Sequence, residues 1–421
     1  MSSTFSIALS ALKAESQAIN ATGNNLANMN TTGFKGSAVD FKDLFSEYLG
    51  TGGGSQYGLG VGIPITNAQY SQGSIANSTS PLSAAIQGNG FFVVNSSSGQ
   101  QLYTRDGNFV QDTNGVLRTE TGEAVQGWTA SSAGLDTSGV PGDIVLPVGS
   151  LLAANATQNF SLNGNLDSSG TAGASTGTFS QPMQVVDSLG KTHNLTVTFT
   201  KTAGVNNAWT YDVTIPGGDL ASGTAGTQQS VLTGAPGALT FNSDGTLDTS
   251  GATSSSVAIN GLADGAGDMS INWSLLNSTG DATLTQYAEA SAVSSSTQDG
   301  KQAAQLTTVA IQTGGQVIAT YSDGRTQVAA QLALAAIANP DSLQNVGNNN
   351  LAVSASTATP AIGTEGTGGR GTIDGSALEG SNVDMATEFT NLIVYQSGYQ
   401  AASRVISTEN TISQDLLNLI H

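Results

Sequence analysis

Cysteine is absent from this chain, which excludes disulfides, thiolate metal sites and thiol nucleophiles together. Positive charge is scarce as well. Only 11 Lys and Arg stand against 30 Asp and Glu in 421 residues, for a net charge of −19. Residues 202–300 hold no Lys or Arg at all, against nine Asp or Glu. A chain so acidic has no basic face with which to displace counterions from phosphates, so no nucleic-acid partner is expected. Adsorption to anionic lipid is disfavoured on the same ground. Long hydrophobic runs are missing, so no membrane span is expected. The first residues lack the basic and apolar regions of a cleavable signal. Export, if it occurs, is expected by a route that cleaves no such segment.

Catalytic residue types are thin. There are two histidines. His421 is terminal. His193 lies in an alternating stretch, opposite Thr192, Asn194 and Thr196, which predicts a partly exposed strand position. No Gly-x-Ser-x-Gly elbow accompanies either one. Gly190-Lys191-Thr192 imitates the end of a phosphate-binding loop, but Val185 stands where that loop needs glycine. Asp187-Ser188-Leu189-Gly190 therefore reads as a hairpin turn. Asp112-x-Asn114-Gly115 has part of a calcium loop without its closing Glu. Gly58-x-Gly60-x-Gly62 precedes no helical pattern. No catalytic residue, cofactor or metal ligand is assigned, and no enzymatic activity is expected.

What is present is glycine (53 residues), with Ser, Thr and Asn, and only 38% apolar side chains. That composition suits many short strands and turns. The two ends differ from this body. Phe5, Leu9, Leu12, Ile19 and Leu26 recur at helical spacing near the start. Met385, Phe389, Leu392, Tyr399, Ile406, Leu417 and Ile420 do so near the end. Phe5, Leu12, Ile19 and Leu26 are seven apart, as are Met385, Leu392, Tyr399 and Ile406, the period of a coiled-coil seam. Residues 3–28 read as one helix, ended by Thr31-Thr32-Gly33. Phe41, Leu44, Phe45 and Tyr48 suggest a short second helix. Residues 50–62 read as a glycine-rich hinge, before a poorly patterned arm.

The predicted fold is mainly β with terminal α-helices, arranged as nested, discontinuous domains. Residues 1–32 and 378–421 form a helical coiled-coil stalk, and 33–87 a connecting arm. An inner β-domain takes 88–149 and 285–377, and an outer β-domain is inserted at 150–284. Gly90-Phe91-Phe92-Val93-Val94 is a buried-strand candidate. Asp106-Gly107 and Asn114-Gly115 mark turns, as do Asn163-Gly164, Asp244-Gly245 and Asp323-Gly324. Residues 355–377 read as a linker.

Residues 23–35, Gly-Asn-Asn-Leu-Ala-Asn-Met-Asn-Thr-Thr-Gly-Phe-Lys, resemble the N-terminal signature of the bacterial flagellar rod and hook axial proteins. Asn24, Asn25, Asn28, Gly33, Phe34 and Lys35 carry the likeness. Leu378-Glu379-Gly380-Ser381-Asn382-Val383-Asp384, continuing through Gln396 and Tyr399 to Leu416-Leu417, resembles the C-terminal signature. There the family commonly has a basic residue after Gln396, and this chain has Ser397. Residues 88–92, 103–109 and 122–128 are similar to the shared β-domain of the family. Residues 181–190 resemble the outer domain inserted in its hook members; residues 298–300 and 333–340 resemble their return to the inner domain.

The resemblance implies a structural subunit that polymerises into a curved hollow tube, a flexible joint passing torque from motor and rod to filament. The terminal helices would line the inner tube and fold on assembly. Implied partners are further copies of the chain, the distal rod protein, the hook cap, the hook–filament junction proteins and the flagellar type III export apparatus. Phe41-x-x-x-Phe45 resembles an export-recognition element, and equally suits two rings packing on the β-domain. The implied location is the extracellular hook of the flagellum, around the basal body. A distal rod protein with an insertion and an extracellular β-rich adhesin are the competing readings.

Overall fold

The computed structural model describes residues 2–45, 58–131, 134–234, 236–250, 254–277 and 279–419. The chain divides into two compact units. The first comprises Met1–Val148, Thr307–Thr320 and Gly324–His421, and the second Gly149–Leu306 with Tyr321–Asp323.

The first unit opens and closes with its two helices, α1 (Ser2–Ala27) and α2 (Met385–Leu419). Between them lies an antiparallel sheet in the order Gln316–Tyr321, Thr326–Leu332, Ala124–Thr129, Phe91–Asn95, Gln101–Thr104, Asn350–Ala352, Gln344–Gly347. Phe91–Asn95 is central, and the run Phe91-Phe92-Val93-Val94 is fully buried. Strand geometry sends alternate side chains to opposite faces. Phe92 and Val94 accordingly join Phe109, Leu117, Val125, Ile144, Leu332 and Ile373 in one cluster. Phe91 and Val93 join Tyr103, Trp128 and Ala335 in another. A strand covered on both faces needs a continuous apolar run, and this sequence supplies one.

The second unit holds two five-stranded sheets over one core. The first sheet runs Ser254–Ile259, Met269–Ser274, Asn159–Asp167, Leu284–Tyr287, with Ala292–Gln298 also paired to Asn159–Asp167. The second runs Thr178–Val186, Thr192–Lys201, Ala208–Pro216, Gln228–Ser230, with Gly237–Thr240 on the third strand. Trp273 is the centre of the core. It stacks on Phe160 at 5.5 Å and meets Tyr211 and Phe199 edge-on at 4.8 and 5.9 Å. Buried Trp209 places its indole N–H on Gln286 Oε1 at 2.8 Å, which satisfies its polar end.

Several sequence expectations are corrected here. The insert was placed at 150–284, yet Leu284–Tyr287 and Ala292–Gln298 both pair with Asn159–Asp167 and carry the unit on to Leu306. Asn163-Gly164 is a bulge inside a strand rather than a turn. A Cβ on Gly164 would lie 2.6 Å from the Ala292 carbonyl, so glycine serves close strand approach there. The expected helix over 41–48 is a strand where described: Asp43–Phe45 pairs with Gly58–Val61, and Tyr48 lies outside the described residues. The arm at 33–87 is built into paired strands, with Ser37–Asp40 on Ile65–Ala68 and Ala84–Gln87 on Thr372–Gly375. That last pairing also gives the expected linker a buried residue, Ile373.

His193 is buried, not partly exposed. It shares its strand face with Leu195, Val197 and Phe199, all core residues. Strand alternation puts the residues two, four and six positions on, all apolar, on the side of His193, so its polar immediate neighbours say nothing about its burial. The expected turn at residues 187–190 is present and joins Thr178–Val186 to Thr192–Lys201, with Gly190 at φ +91°.

Replacing Trp273 by Ala removes the ring on which three aromatic contacts converge. It is expected to destabilise the second unit by about 3–5 kcal/mol. Urea denaturation followed through Trp209 fluorescence measures the loss.

Candidate assembly surface

The two signature segments meet at a buried carboxylate. Glu379, fully buried, accepts Lys35 Nζ at 2.7 Å and the Gly73 amide at 2.9 Å on Oε1, and Arg105 Nη1 at 3.1 Å on Oε2. Its carbonyl accepts the Gly33 amide at 2.8 Å. Arg105 also donates to the Gly88 carbonyl at 2.8 Å and sits over the Phe91 ring at 5.3 Å. Burial pushes the Lys35 ammonium below its ordinary range, while Glu379 pulls it back. A charge taken out of water is tolerated only when paired and hydrogen-bonded, and both conditions hold at Glu379.

Around this centre the signature asparagines do backbone work. Asn25 accepts the Ser37 amide and donates to the Ser37 carbonyl, both at 2.9 Å, and donates to Glu388 Oε1 at 3.0 Å. Asn382 accepts the Gly36 amide at 2.8 Å and donates to the Gln69 carbonyl at 2.7 Å. Asn28 donates to Asn24 Oδ1 and its carbonyl, and accepts Thr31 Oγ1, closing the end of α1. Gly33 has φ +68°, and a Cβ there would lie 2.6 Å from the Arg105 carbonyl carbon, so no other residue fits. Phe34 is buried beside it. Asp384 caps α2 by accepting the Thr387 amide at 2.8 Å, and the Thr387 side chain first, with this amide second, lowers its carboxyl below the usual range.

From this clasp α1 and α2 run antiparallel: Asn25 meets Glu388, and ten residues earlier Glu15 lies over Gly398. The same register sets Ser2 opposite about residue 411, leaving the last turns of α2 beyond α1. The packed row of α1 is Ala8, Ala14, Ala18, Thr22 and Asn25. On α2 the packed or half-buried positions at seven-residue spacing are Glu388, Tyr395, Ala402 and Glu409, with Gly398 between them. A Cβ on Gly398 would come within 2.5 Å of Glu15 Oε1. The seven-residue spacing holds, and apart from Tyr395 the occupants are small or polar.

The large apolar residues expected in that seam stand beside it. Leu9, Leu12, Ile19, Leu26, Leu392 and Ile406 are half-buried at its edges. Phe5, Met385, Phe389, Tyr399 and Leu417 are exposed, and Ile420 lies outside the described residues. The reason is steric: helices approach most closely where side chains are smallest, so the bulky rows are displaced outward. Along α2, Phe389 is 45% exposed, Ile393 63%, Val394 59% and, further along the helix, Leu417 64%. Phe41 is largely exposed, with its ring 6.0 Å from that of Tyr395. The Phe45 side chain is outside the described residues. Ser397, in place of a basic residue, turns its hydroxyl onto the Ile393 carbonyl at 2.8 Å. Among the described residues no helix is long and apolar enough to cross a membrane.

Sequence reading missed Glu379, Arg105 and Asn382 as partners, although each stood inside a quoted motif. Their partners are up to 346 residues away, beyond any local pattern.

Glu379→Ala leaves Lys35 and Arg105 buried without a counter-charge and is expected to cost about 3–5 kcal/mol. Guanidinium denaturation of the two proteins side by side measures it. Burial raises the Glu15 carboxyl above its ordinary range, and Oε2 has no hydrogen-bond partner. The folded form therefore holds this proton to higher pH than the unfolded form. Helix pairing loses stability as pH rises through that window. Glu15→Gln is expected to raise the thermal midpoint of helix loss at neutral pH. It should leave that midpoint unchanged below the ordinary carboxylate range, as followed by circular dichroism.

Family profiles match in the order these parts occur. "Flagella basal body rod protein" matches residues 5–35, and "Flagellar hook protein FlgE/F/G D1 domain" residues 85–174. "Flagellar basal body protein FlaE D2 domain" matches residues 165–301, and "Flagellar basal body rod FlgEFG protein C-terminal" residues 375–419. The chain is 33% identical to the flagellar hook protein FlgE of Escherichia coli strain K12 over 428 residues, covering 99% of each. It is 32% identical to FlgE of Treponema pallidum over 444 residues, covering 94% of this chain and 95% of that one. A crystal structure of Helicobacter pylori flagellar hook protein FlgE2 overlays with a TM-score of 0.44 at 12% identity, over 66% of this chain and 94% of that chain. Both signatures, the shared β-domain and the insert are present in one chain, which belongs to the flagellar hook protein FlgE family.

Proposed function

We propose that this chain is the structural subunit of a flagellar hook, polymerising into a curved hollow tube that acts as a flexible joint between motor and filament. The carrying observation is the exposed apolar stretch of α2. A helix already paired through a small-residue seam still presents Phe389, Ile393, Val394 and Leu417 to solvent. An apolar surface of this kind on a soluble chain marks an interaction site. A head-to-tail contact that does not close into a ring gives a helical polymer. We assign both rows of bulky side chains, Phe5 to Leu26 and Met385 to Ile420, to contacts between neighbouring copies.

The reading extends to partners and location. The chain is a flagellar axial protein. Docking onto the distal rod, the hook cap and the hook–filament junction proteins, and export through the flagellar type III apparatus, follow from the proposed role. Placement in the extracellular hook follows with them. Phe41 keeps the exposure an export-recognition ring requires. No catalytic role is proposed. A bending tube must let neighbouring subunits slide, and a chain with only 10% charged and 6% aromatic residues has few interlocking or ionic contacts to offer.

Electron microscopy under polymerising salt tests the reading. The full chain is expected to give curved tubes and a shortened chain of residues 34–377 none. Straight tubes would point to a rod subunit. Ile393→Asp with Val394→Asp places two charges on the exposed stretch without touching the seam. The double variant is expected to abolish tubes while its circular dichroism stays that of the parent; tubes of normal length from it would remove α2 from the interface.

A further inference from the structure

In the second unit, three loops converge on one imidazole. His193 opens the strand Thr192–Lys201 and is fully buried. Its Nε2 lies 2.9 Å from Asp187 Oδ2 and 3.4 Å from Asp264 Oδ2, and its Nδ1 lies 3.3 Å from Asp219 Oδ2. Each of the two Nε2-facing carboxylates has its other oxygen fixed by backbone. Asp187 Oδ1 accepts the Leu189 and Lys191 amides at 2.8 and 3.0 Å, and Asp264 Oδ1 accepts the Ala266 amide at 3.1 Å. One oxygen of each is thereby aimed at the ring nitrogen. One donor atom from each of Asp187, His193 and Asp264 lies within 4.8 Å of the others.

We propose that Asp187, His193 and Asp264 form a binding site for a divalent transition-metal ion of the Zn²⁺ type, with Asp219 orienting the imidazole from behind. Ligands at about 2.0–2.1 Å around a tetrahedral ion stand about 3.3 Å apart, and the distances from Nε2 bracket that value. The set contains an imidazole, which suits Zn²⁺ and its neighbours and not Ca²⁺ or Mg²⁺. A metal-bound histidine characteristically donates its second ring N–H to a carboxylate. Nδ1 is buried, makes no hydrogen bond of good geometry, and faces Asp219. On binding, Nε2 exchanges its hydrogen bond to Asp187 for the metal, and the ring proton resides on Nδ1 towards Asp219.

The three carboxylates outnumber the one cation at the site, Lys191, whose Nζ lies 3.2 Å from Asp264 Oδ2. The Ala266 amide fixes Asp264 Oδ1 and leaves Oδ2 shared between Lys191 and the His193 ring. Lys191 is half exposed and can swing into water. It is the competitor for the site, and the Asp264 side chain is its partly exposed edge.

The test uses the full chain, stripped with chelator and kept monomeric in low salt, titrated with ZnCl₂ by calorimetry. One equivalent is expected to bind. Asp264→Asn, which keeps the carbonyl oxygen for the Ala266 amide, should weaken binding at least tenfold, and Lys191→Gln should tighten it. Co²⁺ should give the visible bands of a four-coordinate ion. With only two histidines in the chain, ¹⁵N NMR should show the His193 ring nitrogens shifting and those of His421 unmoved. Circular dichroism establishes that both variants fold. The proposal is overturned if no metal binds, if Asp264→Asn binds as tightly as the parent, or if Ca²⁺ and Mg²⁺ displace Zn²⁺. The first two outcomes would leave His193 and Asp187 as a purely structural hydrogen-bonded pair, and the third would indicate diffuse attraction to an acidic surface.

Discussion

A single buried carboxylate, Glu379, holds the first unit to its own ends. Lys35 comes from the segment after α1, Arg105 from the β-sheet and Glu379 from the strand before α2. Three stretches distant in sequence must be in place before any of the three charges is compensated. Replacing the trio by apolar residues of equal volume could leave stability unchanged. What the charges add is register: Glu379 has one set of positions for its partners, and Gly33, Gly36 and Gly73 admit the backbone only in that arrangement. The departure of both helices from the sheet is set at this point.

The helices then follow a rule opposite to that of an ordinary coiled coil. A coiled coil buries its large apolar residues in the seam and turns charge outward. Here alanines, a glycine, polar groups and a single tyrosine occupy the seam, and most large apolar side chains lie beside it, half-buried or exposed. As an isolated pair that would be a poor use of apolar surface. As a component of a larger array it keeps the strongest contacts for neighbours and spends the weakest within the subunit. The unsatisfied carboxylate oxygens of Glu15 and Glu409 belong to the same economy: the pair is not optimised for standing alone.

Much of this was legible beforehand, for reasons that differ by element. The helices announced themselves through period, and Phe91–Asn95 through a short, β-branched and aromatic apolar run that favours a buried strand. Nested organisation was readable because both ends carried a pattern the middle lacked. The seam was misread because a sequence scan weights side chains by hydrophobicity, whereas helix approach is governed by size: Ala14, Ala18 and Gly398 carry little signal and decide the geometry. His193 was misplaced by looking at its immediate neighbours. The clasp at Glu379 was unreadable in principle from one chain, since no local spacing connects residues 35, 105 and 379. The bulge at Gly164 and the strand at Asp43–Phe45 show glycine and aromatic signals serving close approach and pairing where turn and helix were expected.

The separation of 344 residues between Lys35 and Glu379 also imposes a timetable. A ribosome delivers the N-terminus first, so residues 1–35 emerge with their partner still unmade and wait until nine-tenths of the chain has been synthesised. Through that interval Lys35 lacks its counter-charge, although nearer bonds such as those between Asn25 and Ser37 can already form. Residue 379, and not residue 35, thereby decides when this clasp closes.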